Sequence, residues 1–523
     1  MFRFDIILSR CFLVLLLCTT NTCQSDALSE MESTIQSHGG EILRVTDSGY
    51  RLAATLWNTA IQVWPSMVIR PKTYDDVALA LSTLYSLDIP VRIMGGRHSY
   101  GGYCSHTGVV IDAALLKDIH VDWQAETVTM QAGVIWNEVY AVLNGSEYVI
   151  VGGLCPTVGV VGYTLGGGYN SLFSRSYGLG SDNVLNFKVV TYNGSIVTAS
   201  TENNPDLYWA LRGGGGGNFG FVLEMTHKIH RIQNTSLPTG QLLFLNISWT
   251  DPTVFSAVLS NWLIFLDEIA NVDNRISFDV IILTGSQRSF LRMYGSFNGP
   301  FSDYERQFQP WLAKDPKPDT VMVQNYTQYQ MIVATGAANY PFPAKERQHI
   351  VSAMALNITQ TMIDVLLEPQ PNTSLRIFQA IDIIYLHDVN KDRNTAWAFP
   401  DISFDIAPGF VWFTPEDDAV AISIAESWFN RLFNAASHTG SIVGAYVNYI
   451  DPYLDNWQQL YYRNHWQRLK EIKTKWDPNW YFRFPQGIPP NNHSSEISST
   501  ADAPREINIR LALSLILLLF IMC

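Results

Sequence analysis

Apolar positions recur along this chain with two periods, and the period changes from one stretch to the next. Met67-Val68-Ile69 is a short apolar run stopped by Pro71, which lacks the N–H a strand ladder needs. From Asp75-Asp76 onward, Val77, Leu79, Leu81, Leu84 and Leu87 fall near helical spacing, with acidic residues where a helix N-terminus favours them. Pro90 closes that helix, and Val91 to Met94 reads as the next strand. Strands are predicted over 109–112 and 127–131, a helix over 135–143, and a strand over 149–151. Residues 187–192 and 196–199 flank Asn193-Gly194, a strong hairpin signal. A short helix over 206–211 and a strand over 221–229 complete this half.

Beyond Ile232 the texture changes. Period-two strands at 243–249, 276–283 and 375–386 are separated by helical stretches at 252–269, 358–367 and 416–432. That order predicts an antiparallel sheet with helices on one side, an α+β second domain. A strand is expected over 443–451 and one long helix over 457–476. The boundaries that follow are a first domain over 43–234, a second over 235–442, and a C-terminal segment over 443–490. A polar stalk follows over 491–510.

Length and composition fit this division. A chain of 523 residues exceeds one ordinary core, and 47% apolar with 15% charged residues is a globular composition. A net charge of −13 argues against a phosphate-binding basic surface, so nucleic acid is not an expected partner. Arg3 and Arg10 with the apolar run Cys11 to Cys18 form a signal-peptide layout over 1–23. At the other end, small residues Ser498 to Thr500, a polar spacer and an apolar tail over 511–523 match a glycosylphosphatidylinositol signal. Sequons at Asn144, Asn193, Asn234, Asn246, Asn325, Asn357, Asn372 and Asn492 agree with secretion, and a lipid anchor is the expected membrane link. Without both terminal segments only Cys104 and Cys155 remain. They form one disulfide, or Cys155 has another covalent partner.

Three glycine-dense segments carry the candidate chemistry. Gly95-Gly96-Arg97-His98-Ser99 follows a strand, offering backbone N–H groups to phosphate with Arg97 adding charge. Its spacing is not the dinucleotide fingerprint. Residues 152–170 surround Cys155 with glycine, which permits close approach of backbone to a flat ligand. Arg212 to Gly220 holds five consecutive glycines between a helix and a strand.

Taken together these motifs resemble the secreted FAD-linked oxidases of the berberine-bridge-enzyme-like family, which includes oligosaccharide oxidases, over about residues 43–490. Gly95 to Ser99 is similar to its histidine loop, and Gly153-x-Cys155-Pro156-Thr157-Val158-Gly159 with Gly166-Gly167-Gly168 to its cysteine loop. Tyr446-x-Asn448-Tyr449-x-Asp451 and Lys473-x-Lys475-x-Asp477-Pro478 resemble its C-terminal signature. The resemblance implies a two-part PCMH-type FAD-binding domain and a substrate domain. It implies FAD bonded to both His98 and Cys155, with Gly95, Gly96, Arg97, Ser99, Val158, Gly159, Gly162, Tyr163, Gly166, Gly167, Gly168, Val222, Asn448 and Tyr449 around it. Cys104 is then a free thiol.

The implied reaction is hydride transfer from a substrate alcohol, possibly a sugar, to flavin, with O₂ as final acceptor and hydrogen peroxide as product. Tyr446 is the expected base, with Gln379 or Asp382 assisting. Val158 stands where the family's small gatekeeper admits dioxygen. The rival functions are a dehydrogenase, an alkaloid or amine oxidase, and a non-catalytic surface flavoprotein. Val161 and Asn170 replace usual glycines, Tyr163 replaces a common histidine, and the segment Thr395 to Pro400 lacks the His-Arg that normally follows. Val161 and Asn170 are expected to crowd the cradle. His106 and His387 are expected to be surface or core histidines.

Overall fold

The predicted strands of the first half form, that over 149–151 only as the two-residue strand Tyr148–Val149, and three small sheets result. In the computed structural model, residues 25–493 are described except 233–236, 239, 271–272, 285–288, 337–341, 345, 370–374 and 385–392. The expected signal peptide, most of the stalk, the hydrophobic tail, Asn234, Asn372 and His387 lie outside the described residues. The first sheet runs Glu41–Leu43, Met67–Arg70, Val109–Asp112, Val91–Met94, the last three mutually parallel. Parallel neighbours need a crossover, and the helix Tyr74–Ser86 supplies it, started by a reciprocal capping box between Thr73 and Asp76. The second sheet is antiparallel, in the order Ile119–Asp122, Thr127–Gln131, Phe221–Lys228, Val184–Val190, Ile196–Ser200. The third is the short pair Tyr148–Val149 and His230–Arg231.

The second half is one large antiparallel sheet. Its central order is Thr320–Tyr326, Leu242–Trp249, Ser289–Phe297, Ile276–Thr284, Arg376–Ile383, Phe404–Ile406, Ala353–Ala355, Ile442–Gly444. Alternation splits its faces. One face packs Leu245, Phe278, Val280 and Ile381 into a core with the helices Phe255–Phe265, Gln360–Leu366 and Asp418–Ala436. The other face looks toward the first domain. Sheet and helices form the α+β arrangement that the sequence predicts.

Three local expectations fail. The stretch 443–451 is a strand only over Ile442–Gly444 and then turns into a 3₁₀ helix, Val447–Tyr449. The single helix expected over 457–476 is two, Trp457–Tyr462 and Trp466–Trp476, because Arg463 takes φ +47° between them. The helix Gln328–Ala334, inside the expected second domain, buries Met331 and Ile332 in the first domain's core. Gln328 there bonds both the N–H and the carbonyl of Ile150. The C-terminal segment also returns to that core through Ala445, Val447, Tyr461, Tyr462 and Phe482.

Candidate active site

A cavity of about 450 Å³ lies where the large sheet meets the first domain. All three glycine segments reach it, through Gly95 to Ser99, Gly153 to Gly162, and Gly215 to Gly217. Gly96 and Gly159 meet backbone to backbone, so a Cβ on either would press into the other's main chain. Gly162 and Gly216 have nothing within 4 Å of where a Cβ would stand, although both line the cavity. Glycine is needed there to leave room rather than to satisfy the fold.

The two candidate nucleophiles meet through one hydroxyl. His98 Nε2 lies 2.9 Å from Thr157 Oγ1, and Cys155 Sγ lies 3.6 Å from the same oxygen. Trp57 stacks on the His98 ring at 4.7 Å between centroids. Burial pushes the His98 imidazole down to about 3, so the ring is neutral and keeps a lone pair at physiological pH. Burial raises the Cys155 thiol, and its contacts with Thr157 oppose that rise. Cys104 and Cys155 are both free thiols, so the disulfide alternative is ruled out. Cys104 sits against Leu56, Met94 and Val110, and burial pushes it up to about 11.

Two predicted contacts change on inspection. The Arg97 guanidinium does not stand free for phosphate: it bonds Asp112 Oδ2 at 2.7 Å and the Leu52 carbonyl at 2.8 Å. Gly166, Gly167 and Gly168 are absent from the cavity wall, because protein packs against each. A Cβ there would meet Asn448, Trp397 and Tyr163 respectively. Val158, Gly159, Gly162, Tyr163, Val222, Tyr446, Asn448 and Tyr449 do line the cavity. Val161 lines it as well, whereas Asn170 does not, and its side-chain amide bonds the Gly152 carbonyl instead. His106 is a core residue, bonded to the Val109 carbonyl. The segment that lacks the His-Arg is held by Arg463, which bonds the Ala398 carbonyl, and by His465, which bonds the Ala396 carbonyl.

The opposite wall comes from the large sheet and the 3₁₀ turn. Tyr446 is buried, and its phenol oxygen accepts from Gly168 N–H (3.1 Å), the Asn448 amide (2.7 Å) and Tyr169 N–H. Three N–H donors favour a phenolate, although desolvation raises the phenol overall. Tyr449 is the less buried of the two phenols, and its hydroxyl lies 3.4 Å from that of Tyr169. The Tyr169 hydroxyl in turn lies 2.8 Å from both Asp382 Oδ2 and Asp405 Oδ2. Burial pushes Asp382 up to about 6 and Asp405 up to about 7. Strand alternation separates the two helpers considered for Tyr446. Phe378, Ala380 and Asp382 line the cavity, whereas Gln379 faces the helices on the reverse side beside Trp428 and Arg431.

Sequence reasoning passed over Thr157 as a bridge, and Trp57, Tyr169, Asp279, Tyr294 and Asp405 altogether. A signal existed for the acids. Asp279, Asp382 and Asp405 each interrupt an apolar strand as Phe-Asp-Val, Ile-Asp-Ile and Phe-Asp-Ile, and a buried lone acid in a strand asks for a reason.

Family comparison agrees with this geometry. The FAD binding domain profile matches residues 65–200, which hold the first two glycine loops. The profile described as berberine and berberine like matches residues 445–489, which hold Tyr446, Asn448 and Tyr449. The chain carries the FAD binding domain and the berberine-like C-terminal segment found in FAD-linked oxidoreductases. It is 28% identical over 463 residues to the FAD-linked oxidoreductase YgaK of Bacillus subtilis, covering 87% of this chain and 98% of that one. It is 26% identical to the xylooligosaccharide oxidase of Thermothelomyces thermophilus, covering 84% and 90%. Among solved structures, BBE-like 1 of Physcomitrella patens superposes with a TM-score of 0.77 at 24% identity, covering 88% of this chain and 100% of that one. The cavity suits FAD, since glycine leaves open space over its wall at Gly162 and Gly216.

Proposed function

We propose that this oxidoreductase is a secreted or cell-surface oxidase that removes a hydride from a hydroxyl-bearing carbon of a small molecule or oligosaccharide. The observation that carries the reading is one cavity with two differently equipped walls. His98 and Cys155 converge through Thr157 on one, and Tyr449, Tyr169 and Asp382 form a hydroxyl chain on the other. When bound, FAD would supply a two-electron acceptor that dioxygen can reoxidise, with hydrogen peroxide as the product. His98 and Cys155 would each hold the flavin covalently, which fixes it while the mouth stays open for a bulky substrate. Val158, on the cavity wall, leaves dioxygen a path.

The base role expected of Tyr446 divides between two phenols on this geometry. Tyr446 has its oxygen committed to three N–H groups of the Gly168–Tyr169 turn and Asn448, so it fixes that turn. Tyr449 has an exit for its proton. As it takes the substrate's hydroxyl proton, its own passes to Tyr169, and the Tyr169 proton passes to Asp382. With the C–H electron pair accepted as hydride by the flavin that the site would hold, Asp382 ends one proton richer and the substrate becomes a carbonyl. An unperturbed phenol near pKa 10 is a poor base at neutral pH, and the relay to a carboxylate supplies what it lacks.

Relatives named as xylooligosaccharide and chitooligosaccharide oxidases favour a sugar substrate. Secretion is supported by exposed sequon asparagines at 144, 193, 325, 357 and 492. Anaerobic mixing with glucose, cellobiose, xylobiose, simple alcohols and amines should bleach the yellow flavin with a sugar, and air should restore it with stoichiometric peroxide. Tyr449→Phe and Asp382→Asn should slow bleaching by about 10²–10⁴-fold, the range of general-base contributions. Bleaching without oxygen consumption would instead mark a dehydrogenase, bleaching by amines alone an amine oxidase, and no bleaching by any of them a non-catalytic flavoprotein. Full activity in Tyr449→Phe would remove the proton path.

A further inference from the structure

The wall that the large sheet presents to the cavity continues past the acids through a short strand pair. Arg347–Ile350 runs antiparallel to Gly409–Trp412, which runs antiparallel in turn to the start of Arg376–Ile383. Register places Ile350 opposite Gly409 and Gly409 opposite Phe378. One row further out, Gln348 stands opposite Val411, and Val411 opposite Arg376. Gln348 and Ile350 are two residues apart and so share a face, and both line the cavity with Phe378, Ala380 and Asp382. The Phe378 ring lies across Gly409, where a Cβ would press into it. Ala380, Phe378 and Ile350 therefore make an apolar strip, with Asp382 at one end and Gln348 at the other.

The main chain of Gln348 is held firmly. The Asn58 side-chain N–H donates to its carbonyl at 2.8 Å, and the Asn58 side-chain oxygen accepts from its N–H at 3.1 Å. Its side chain is treated differently. Gln348 is only 8% exposed, yet among the described residues its carboxamide makes no hydrogen bond. The neighbouring Arg347 is fully used by contrast, bonding Asp418 and the Thr59 and Ala60 carbonyls. A carboxamide holds two N–H donors and one acceptor oxygen, and burying them unpaired is unfavourable. The fold makes no use of this amide, so its partner is a group that enters the cavity. An uncharged group that both donates and accepts is matched by a hydroxyl.

We infer that Gln348 is a specificity-determining residue, whose carboxamide hydrogen-bonds a hydroxyl on the part of the substrate remote from the oxidised carbon. The inference rests on the oxidase reading above and adds where the far end of the substrate is held. Strand geometry sets the reach. The row of Gln348 lies six residues along the strand direction from Asp382, about 20 Å at the usual rise per residue. The Tyr449 phenol shortens the gap from the reacting end. Beyond it Tyr100 and then Trp57, the neighbour of Asn58, follow in ring contact at 5.7 and 5.9 Å between centroids. A single sugar ring at Tyr449 falls short of Gln348. A chain of linked rings spans the strip, with its C–H faces against Phe378 and Ile350.

The test uses the full-length, flavin-loaded protein and two sugar series, xylose to xylotriose and glucose to cellotriose. Anaerobic titration followed by flavin absorbance reports binding with or without turnover, and the bleaching rate reports oxidation. In the wild type, affinity should rise from the single sugar to the trimer. Gln348→Leu should weaken the trimer by about 3–100-fold, the range of one or two hydrogen bonds, and leave the single sugar unchanged. The bleaching rate at saturation should hold, because a contact made equally in ground and transition states changes KM and not kcat. Flavin content and melting temperature should hold as well, since Asn58 grips main-chain atoms alone. A purely structural role would lower the melting temperature and weaken every sugar alike, and that result overturns the inference. So does a trimer affinity that Gln348→Leu leaves intact, or a wild type that gains nothing with chain length. An absorbance change without bleaching would remove the oxidase reading and leave the titration to decide Gln348. Bleaching by simple alcohols with no response to any sugar would keep the oxidase reading and overturn the role of Gln348.

Discussion

Thr157 has one hydroxyl proton and two partners, His98 Nε2 and Cys155 Sγ. If the hydroxyl donates to the imidazole it can accept from the thiol, so the residue couples the two nucleophiles and fixes their rotamers. Neutral hydrogen bonds of this kind contribute about 0.5–1.5 kcal/mol each, which is enough to set orientation without locking the side chains. Covalent attachment then has a direct readout. After acid precipitation, Cys155→Ala and His98→Ala should each retain yellow flavin through the remaining bond, and the double variant should release it. Release from either single variant would show that only one bond forms. The sequence named both nucleophiles through family resemblance. It could not reveal that Thr157 joins them, because a hydroxyl inside a turn usually serves its own backbone.

At the scale of elements, the glycines separate into two classes that look identical in the sequence. Gly96 and Gly159 are packed against each other's main chain, whereas Gly162 is open. Gly159→Ala should therefore lower thermal stability by about 1–3 kcal/mol, the usual cost of overpacking. Gly162→Ala should fold with an unchanged or slightly higher melting temperature, since alanine favours the helix Val160–Leu165. It should nevertheless take up less FAD, because the new methyl stands in the cavity. Equal melting temperatures for the two variants would contradict this division. The same packing explains why Gly166 to Gly168, expected around the flavin, serve the protein instead. Trp397 fills the space over Gly167, and Tyr163 fills that over Gly168.

Across the whole molecule, the C-terminal segment closes the site from outside the first domain's own sequence. Lys473 is fully buried and its ammonium bonds the Asn218 carbonyl, the Phe482 carbonyl and Asp477, tying the glycine-rich loop to the segment around Phe482. A charge so placed is tolerated only when paired and hydrogen-bonded. Among the described residues no helix is long and apolar enough to cross a membrane. We propose that the apolar tail over 511–523 is exchanged for a lipid anchor. Phosphatidylinositol-specific phospholipase C should release the protein from cells with activity intact, and retention after treatment would remove the lipid anchor. Glycosidase treatment should increase its gel mobility if the exposed sequons carry glycan.

The sequence by itself determined the parts that depend on neighbours along the chain. Helical and strand periods, the Asp75-Asp76 first turn of the crossover helix, the Asn193-Gly194 hairpin and the glycine loops are local, and they form close to where the pattern puts them. It mistook 443–451 for a continuous strand because Tyr446-Val447-Asn448-Tyr449 has strand-like composition, while the packing of those rings against Tyr169 and Trp397 turns the backbone. Only the tertiary structure decided which buried acids meet. Asp279, Asp382 and Asp405 lie on separate strands, and a shift of one residue in any pairing would send its acid to the opposite face. Register between distant strands is set by how whole faces bury, so no local pattern holds that information.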